Sequence, residues 1–296
     1  MTWQLALTGL LIGTLVGLTG MGGGSLMTPM LVFLFGFQPT LAIGTDILHG
    51  AVFKSFGAIR HRRLGNVQAR LSGWMFLASA PMSLLGVWLA TWIEGRYGEG
   101  VESLQGQILG GALVFGSLGL LLKSFVRVRQ PLEKAFILSN RDRIAGVLIG
   151  LIGGFIVGLT SVGSGTFFAL TMLIVFPLKS MKVVGTDIFH AAALLWVAGA
   201  GHFVAGNVDL GAVGWLLLGS IPGVLIGSEL TTAIPDRGLR VALAATLAIS
   251  GIKLLDPPGS NAIIVGAFLV GLVVLLGWLI RARAARRARV QEQAEP

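Results

Sequence analysis

Long apolar runs separated by short polar breaks fill nearly the whole chain. They fall at roughly 3–20, 25–37, 41–59, 71–92, 104–125, 143–160, 165–177, 184–204, 211–233, 239–255 and 261–281. At 1.5 Å per residue most of these match a hydrocarbon core of about 30 Å, so the pattern predicts membrane-spanning helices. Two runs are too short. Residues 25–37 and 165–177 reach only about 20 Å each as helices. The pattern therefore predicts an all-α polytopic membrane protein in which 3–37 and 143–177 are re-entrant hairpins. Two short full spans are the alternative for each hairpin.

The chain also repeats itself. Shifted by 141 positions, 25 of the 74 residues in 13–86 are identical without a gap. Gly44-Thr45-Asp46-Ile47-Leu48-His49 matches Gly185-Thr186-Asp187-Ile188-Phe189-His190, and Gly65-Asn66-Val67 matches Gly206-Asn207-Val208. Duplication at this scale marks transporters built from internal repeats. The predicted organisation is a first repeat at 1–125, a cytoplasmic linker at 126–142 and a second repeat at 143–258. An additional transmembrane helix at 259–281 and a basic cytoplasmic tail at 282–296 complete it.

Composition sharpens this picture. Charged residues are only 12% of the chain and mean hydropathy is +0.84, against about 25% charged in soluble domains. The net charge of +9 is not spread for nucleic acid. It gathers at Arg60/Arg62/Arg63/Arg70, at Lys123 to Arg143 and at Arg281 to Arg289, between or after apolar runs, which is a topology signal. Those clusters belong in the cytoplasm. The counterpart of the Arg60–Arg70 loop, Gly201–Gly211, carries no Lys or Arg and belongs outside. Equivalent loops on opposite faces predict inverted-topology repeats, with about seven full transmembrane helices plus two hairpins, the N-terminus outside and the C-terminus inside. The absence of Cys excludes disulfides and thiolate metal sites.

Hairpin tips entering from opposite faces meet near the midplane, where irregular backbone must line a cavity or be buried in protein. The second arms begin at Ser25 and Thr166, so their free N–H groups aim inward. Gly22, Gly23 and Gly24, with Gly163, Ser164 and Gly165, let the backbone curl around an anion; equally, such glycines permit close helix crossing. Asp46 and His49 share one helical face, as do Asp187 and His190. A charged His can hold an anion while its Asp orients the ring, or the Asp can carry a proton. Each pair can also simply tie its helix to the neighbouring hairpin. Thr45 and Thr186 can donate to an anion or cap a turn. Lys54, whose counterpart is Leu195, either contacts the substrate or snorkels to the cytoplasmic surface. His61 and His202 fall in loops at the interface, Asn66 and Asn207 start turns, and Trp74, Trp88, Trp92 and Trp215 suit interfacial anchoring.

With the glycine cluster running into a Pro-containing arm (Gly20–Leu31), the Gly-Thr-Asp motif and its degenerate second copy, the chain resembles the sulfite exporter TauE/SafE family over residues 5–280. The resemblance implies a bacterial inner-membrane permease for sulfite, for sulfonates such as sulfoacetate, or for thiosulfate. Ser164 in place of the central Gly, and Leu170-Thr171 in place of Pro29-Met30, make the half-sites unequal. A cation or metal-ion transporter using the four Asp and His residues is the competing reading. An intramembrane protease is disfavoured, because Ser164 aligns with Gly23 and no nucleophile is duplicated. The expected partners are a small anion, the lipid bilayer and a coupling proton or ion. No nucleic acid or cofactor is expected, and a homo-oligomer is compatible with the sequence.

Overall fold

The computed structural model describes residues 2–19, 24–97, 101–125, 136–230 and 236–258, which form ten α-helices. These are α1 (Thr2–Thr19), α2 (Gly24–Phe35), α3 (Pro39–Arg63), α4 (Ala69–Tyr97), α5 (Val101–Phe125), α6 (Asn140–Thr160), α7 (Phe167–Val175), α8 (Ser180–Val204), α9 (Leu210–Leu230) and α10 (Asp236–Leu255). The expected last span at 259–281, the tail after it, most of the 126–142 linker and the first tip at Gly20 to Gly23 lie outside the described residues.

Local sequence sets the helix ends. Pro39 stands in the first turn of α3, where its missing N–H costs nothing. A capping box starts α6: Asp142 N–H donates to Ser139 Oγ at 3.2 Å, and Ser139 N–H donates back to the Asp142 carboxylate at 2.9 Å. After α3 and α8 the chain turns through Gly65 at φ 70° and Gly206 at φ 80°, a left-handed conformation that favours glycine. Because both helices run on to these turns, His61 and His202 are helical rather than in loops. His202 is fully buried, which corrects its expected interfacial placement.

Helix pairing follows small residues. α6 lies along α4 in the same direction, with Gly150, Gly154 and Gly158 against the carbonyls of Met75, Ser79 and Ser83. A methyl group at Gly158 would overlap the Ser83 oxygen, so this approach requires glycine. α1 lies along α9 in the same way, Gly9 against Leu216 and Gly13 against Ser220. These are the same contacts shifted by 141. The two remaining close pairs are antiparallel. Gly50 meets Leu195 and Gly57 meets Ile188 between α3 and α8; Gly106 meets Leu254 and Gly110 meets Gly251 between α5 and α10.

Among the described residues, five helices are long and apolar enough to cross a membrane: Ala69–Arg96, Leu104–Leu122, Asn140–Thr160, Ser180–Val204 and Leu210–Gly227. α3, which carries Asp46, Lys54 and three arginines, is not among them. α6 is among them, although the apolar pattern made it a hairpin arm. Its partner α7 has nine residues, about 14 Å, and cannot cross alone. Two observations bear on how this pair runs. The C-terminal end of α6 stops beside Ser83, midway along α4. The ring of Phe176, just past α7, packs 6.2 Å from that of Phe136, just before α6. The outer surface is apolar: Leu77, Trp88, Leu148, Leu218 and Leu225 are exposed. Trp74 and Trp92, near opposite ends of α4, carry Arg143 and Arg96 over their rings.

Candidate functional site

The middle of α3 gathers a polar cluster inside this apolar bundle. Asp46, His49 and Lys54 are all buried, and Lys54 is only 4% exposed. Lys54 therefore does not snorkel to the surface. The carboxylates of Asp46 and Asp187, one from each half, both act on it electrostatically. Burying an amine at this depth is costly unless nearby charge or polar groups offset the loss of water.

Asp46 is held by hydroxyls from two other elements. Thr28 Oγ1 of α2 lies 2.6 Å from Oδ2, and Ser161 Oγ lies 2.8 Å from the same oxygen. Ser161 belongs to the tip after α6, at φ 61°, so the tip of the second half touches the motif of the first. Asp187 meets the tip of its own half. It accepts from Gly165 N–H at 2.7 Å, with Ser164 Oγ at 3.5 Å. The amide at the start of α7 is thus already occupied by a carboxylate. The Thr166 hydroxyl, buried beside it, has no hydrogen-bond partner.

Each histidine meets a serine on a fourth helix. His49 Nε2 lies 2.9 Å from Ser220 Oγ, and His190 Nε2 lies 3.0 Å from Ser79 Oγ. The surroundings differ. Ile12, Gly13, Val16, Asp46, His49, Gly50, Phe53, Lys54 and Ser220 line a pocket of about 250 Å³ of atom-free space, counting its mouth. His49 stacks on Phe53 with ring centroids 5.8 Å apart, closing one wall. On the other side the Phe168 ring packs edge-on against His190 at 4.5 Å. It fills the volume that Gly153 leaves free.

The threonines of the motifs face the turns. Thr45 Oγ1 accepts from Asp209 N–H at 3.0 Å and Thr186 Oγ1 accepts from Gln68 N–H at 2.9 Å, again 141 positions apart. Gly44 and Gly185 sit against the carbonyls of Asn207 and Asn66. His202 Nε2 lies 2.9 Å from the Gly158 carbonyl. Gly22 and Gly23 lie outside the described residues. Gly24 and Ser25 open α2, as the sequence pattern expects.

Thr28, Ser161, Ser79 and Ser220 were not among the expected site residues. The serines on α4 and α9 left a signal: Ser79-Ala80-Pro81 and Ser220-Ile221-Pro222 are matched by the repeat offset. Thr28 and Ser161 left none, since their counterparts are Ala169 and Gly20. Among the described residues no three His, Cys, Asp or Glu side chains come together as a metal site.

The chain matches the family described as Sulfite exporter TauE/SafE over residues 5–254. It is 37% identical over 256 residues to the probable membrane transporter protein YjnA of Bacillus subtilis, covering 86% of this chain and 100% of that relative. The probable membrane transporter protein YdhB of the same organism is 26% identical over 245 residues, 83% of this chain and 96% of its own length. The probable membrane transporter protein MJ0441 of Methanocaldococcus jannaschii is 22% identical over 268 residues, 85% of this chain and 94% of its own. No solved structure matches.

Proposed function

The chain belongs to the sulfite exporter TauE/SafE family of membrane transporters, and on that premise we propose that it moves small sulfur-containing anions by alternating access. Sulfite, sulfonates such as sulfoacetate, and thiosulfate are the substrates in view. The observation that carries this reading is the buried pocket lined by Lys54, His49, Gly13 and Ser220. It offers a cation, a ring nitrogen and a hydroxyl within apolar walls, the donor set an oxyanion needs once it leaves water. The amide at the start of α7 is engaged by Asp187, so Lys54 rather than a bare helix end supplies the attraction.

Alternating access rests on inverted repeats at residues 1–125 and 143–258. The antiparallel contacts of α3 with α8, and of α5 with α10, support the inversion. Equivalent helices that cross a membrane side by side in opposite directions require a two-fold axis in the membrane plane. The Phe136–Phe176 contact and the mid-height end of α6 support a re-entrant α6–α7 hairpin. Arg62 stacks over Phe189 at 5.6 Å, and Arg143 over Trp74, on the face that also carries Lys179 and Lys182. By the positive-inside rule that face is the cytoplasmic one, which supports the reading of an N-terminus outside and a C-terminus in the cytoplasm, in a bacterial inner membrane.

Equilibrium binding to the purified protein tests the substrate class. Radiolabelled sulfite or sulfoacetate is expected to bind and Ni²⁺ is not; the reverse result sinks the anion reading. Thiol labelling of Arg63→Cys and Val204→Cys, exposed and 141 positions apart, tests the inversion. Labelling of both from one side rules it out.

A further inference from the structure

We propose that Asp46, Thr28 and Ser161 form a proton-binding site, and that this proton travels with the transported anion. The inference rests on the transport reading above and deepens it. It follows from counting hydrogens. Thr28 Oγ1 and Ser161 Oγ lie 2.6 and 2.8 Å from Asp46 Oδ2, and 2.6 Å from each other. All three separations are those of O–H···O hydrogen bonds. The two hydroxyls bring two protons to three contacts. If both donate to an ionised Asp46, the Thr28–Ser161 contact holds no hydrogen and two oxygens face each other bare. If Asp46 carries a proton on Oδ2, three hydrogens serve the three contacts and the triangle closes. The three separations are thus the arrangement a protonated acid completes.

The proton comes from bulk water, adds to the Asp46 carboxylate and leaves to water again, with no other bond made or broken. A metal ion is a poorer occupant. Hard cations gather about six oxygens, and these three already sit at hydrogen-bond separations from one another. The described ionisable groups of this site are His49 and Lys54 on α3, which line the same pocket as Asp46, and Asp187 on α8, which acts on Lys54. The hairpin tip, α2 and α9 present hydroxyls to Asp46 and His49.

Coupling follows from position. Asp46 is itself part of the pocket wall, so an ionised carboxylate would repel an anion entering beside it at low dielectric. Anion and proton therefore bind together and cross in the same direction. The triangle also spans the two halves, because Ser161 belongs to the second tip and Thr28 to α2 of the first. Loss of the proton sets the Thr28 and Ser161 oxygens against each other and loosens the tip.

Infrared difference spectroscopy of the purified wild-type protein, stepped in pH at fixed salt, tests this without any substrate. A protonated-carboxyl band is expected that disappears in Asp46→Asn, shifts in frequency in Asp46→Glu and persists in Asp187→Asn. No carboxyl band in the wild type, or a band unchanged by both Asp46 substitutions, overturns the proposal. So does a Na⁺ step at constant pH that produces the change in place of the pH step. Above the band's midpoint, sulfoacetate affinity is expected to fall about tenfold per pH unit, the slope for one linked proton. If the band is present but neither sulfite nor sulfoacetate binds, the transport reading fails and the proton site stands. If they bind and no Asp46 band exists, the proton site fails and the transport reading stands.

Discussion

The two halves share a framework and differ in what they enclose. In both, the motif threonine holds the far turn, the motif glycine admits a carbonyl, and the motif histidine meets a serine on the equivalent helix of the other half, α9 for His49 and α4 for His190. The pockets diverge. The first half has Ile12, Met27 and Lys54 where the second has Gly153, Phe168 and Leu195. Removing a side chain at 153 admits the Phe168 ring onto His190, and the volume that is open beside His49 is solid beside His190. Duplication thus preserved the contacts that fix backbone positions. Divergence fell on the side chains that decide which half takes a ligand.

Substitutions that erase or exaggerate this inequality test it. The largest effect is expected from Phe168→Ala, which empties the packed half and costs about 3–5 kcal/mol of stability; denaturant unfolding in detergent reads it. Phe168→Met, which installs the residue type of Met27, is expected to cost about half as much. Lys54→Leu, which makes position 54 match Leu195, removes the buried cation. It is expected to weaken sulfite binding about 100-fold, the loss of a charge-assisted contact worth about 3 kcal/mol. Leu195→Met should leave binding within about threefold, and an equal loss from both would mean that the halves contribute alike.

Ser220→Ala is expected to weaken binding about tenfold, since it loses one hydrogen bond at the pocket. Ser79→Ala should spare binding and cost about 1 kcal/mol of stability instead. Reversed outcomes would move the site to the other half. The smallest effects concern what the halves share. Thr45→Val and Thr186→Val each lose one hydrogen bond to a turn N–H, and both should cost about 1 kcal/mol. A gap larger than about 1 kcal/mol between them would show that the framework is less equal than its geometry.

Much of the framework was legible because it is written in local or repeated signals. The apolar runs marked the helices, and the spacing of Asp46 and His49 put both on one helical face. Helix ends were less legible. His202 looked like a loop residue because the chain around it is glycine-rich, yet α8 continues to the turn at Gly206, and packing against α6 buries the ring. Lys54 was undecided from sequence, since a long side chain two turns from Arg60 reaches either water or the interior. Packing settled that: Lys54 is buried in the pocket that Ile12 and Val16 of α1 and Ser220 of α9 help to line.

What the sequence by itself determined is the membrane class, the duplication, the basic loops and the Asp-His positions, because each depends on composition or on spacing within one helix. The tertiary structure decided which groups meet. Ser161 reaches Asp46 across 115 positions and Ser220 reaches His49 across 171. Such contacts depend on how helices cross, and no local period encodes a crossing. The same reason explains the pocket beside His49. Whether a cavity remains beside a histidine depends on the summed volumes of side chains from several elements, and here a glycine on α6 and a phenylalanine on α7 decided it together.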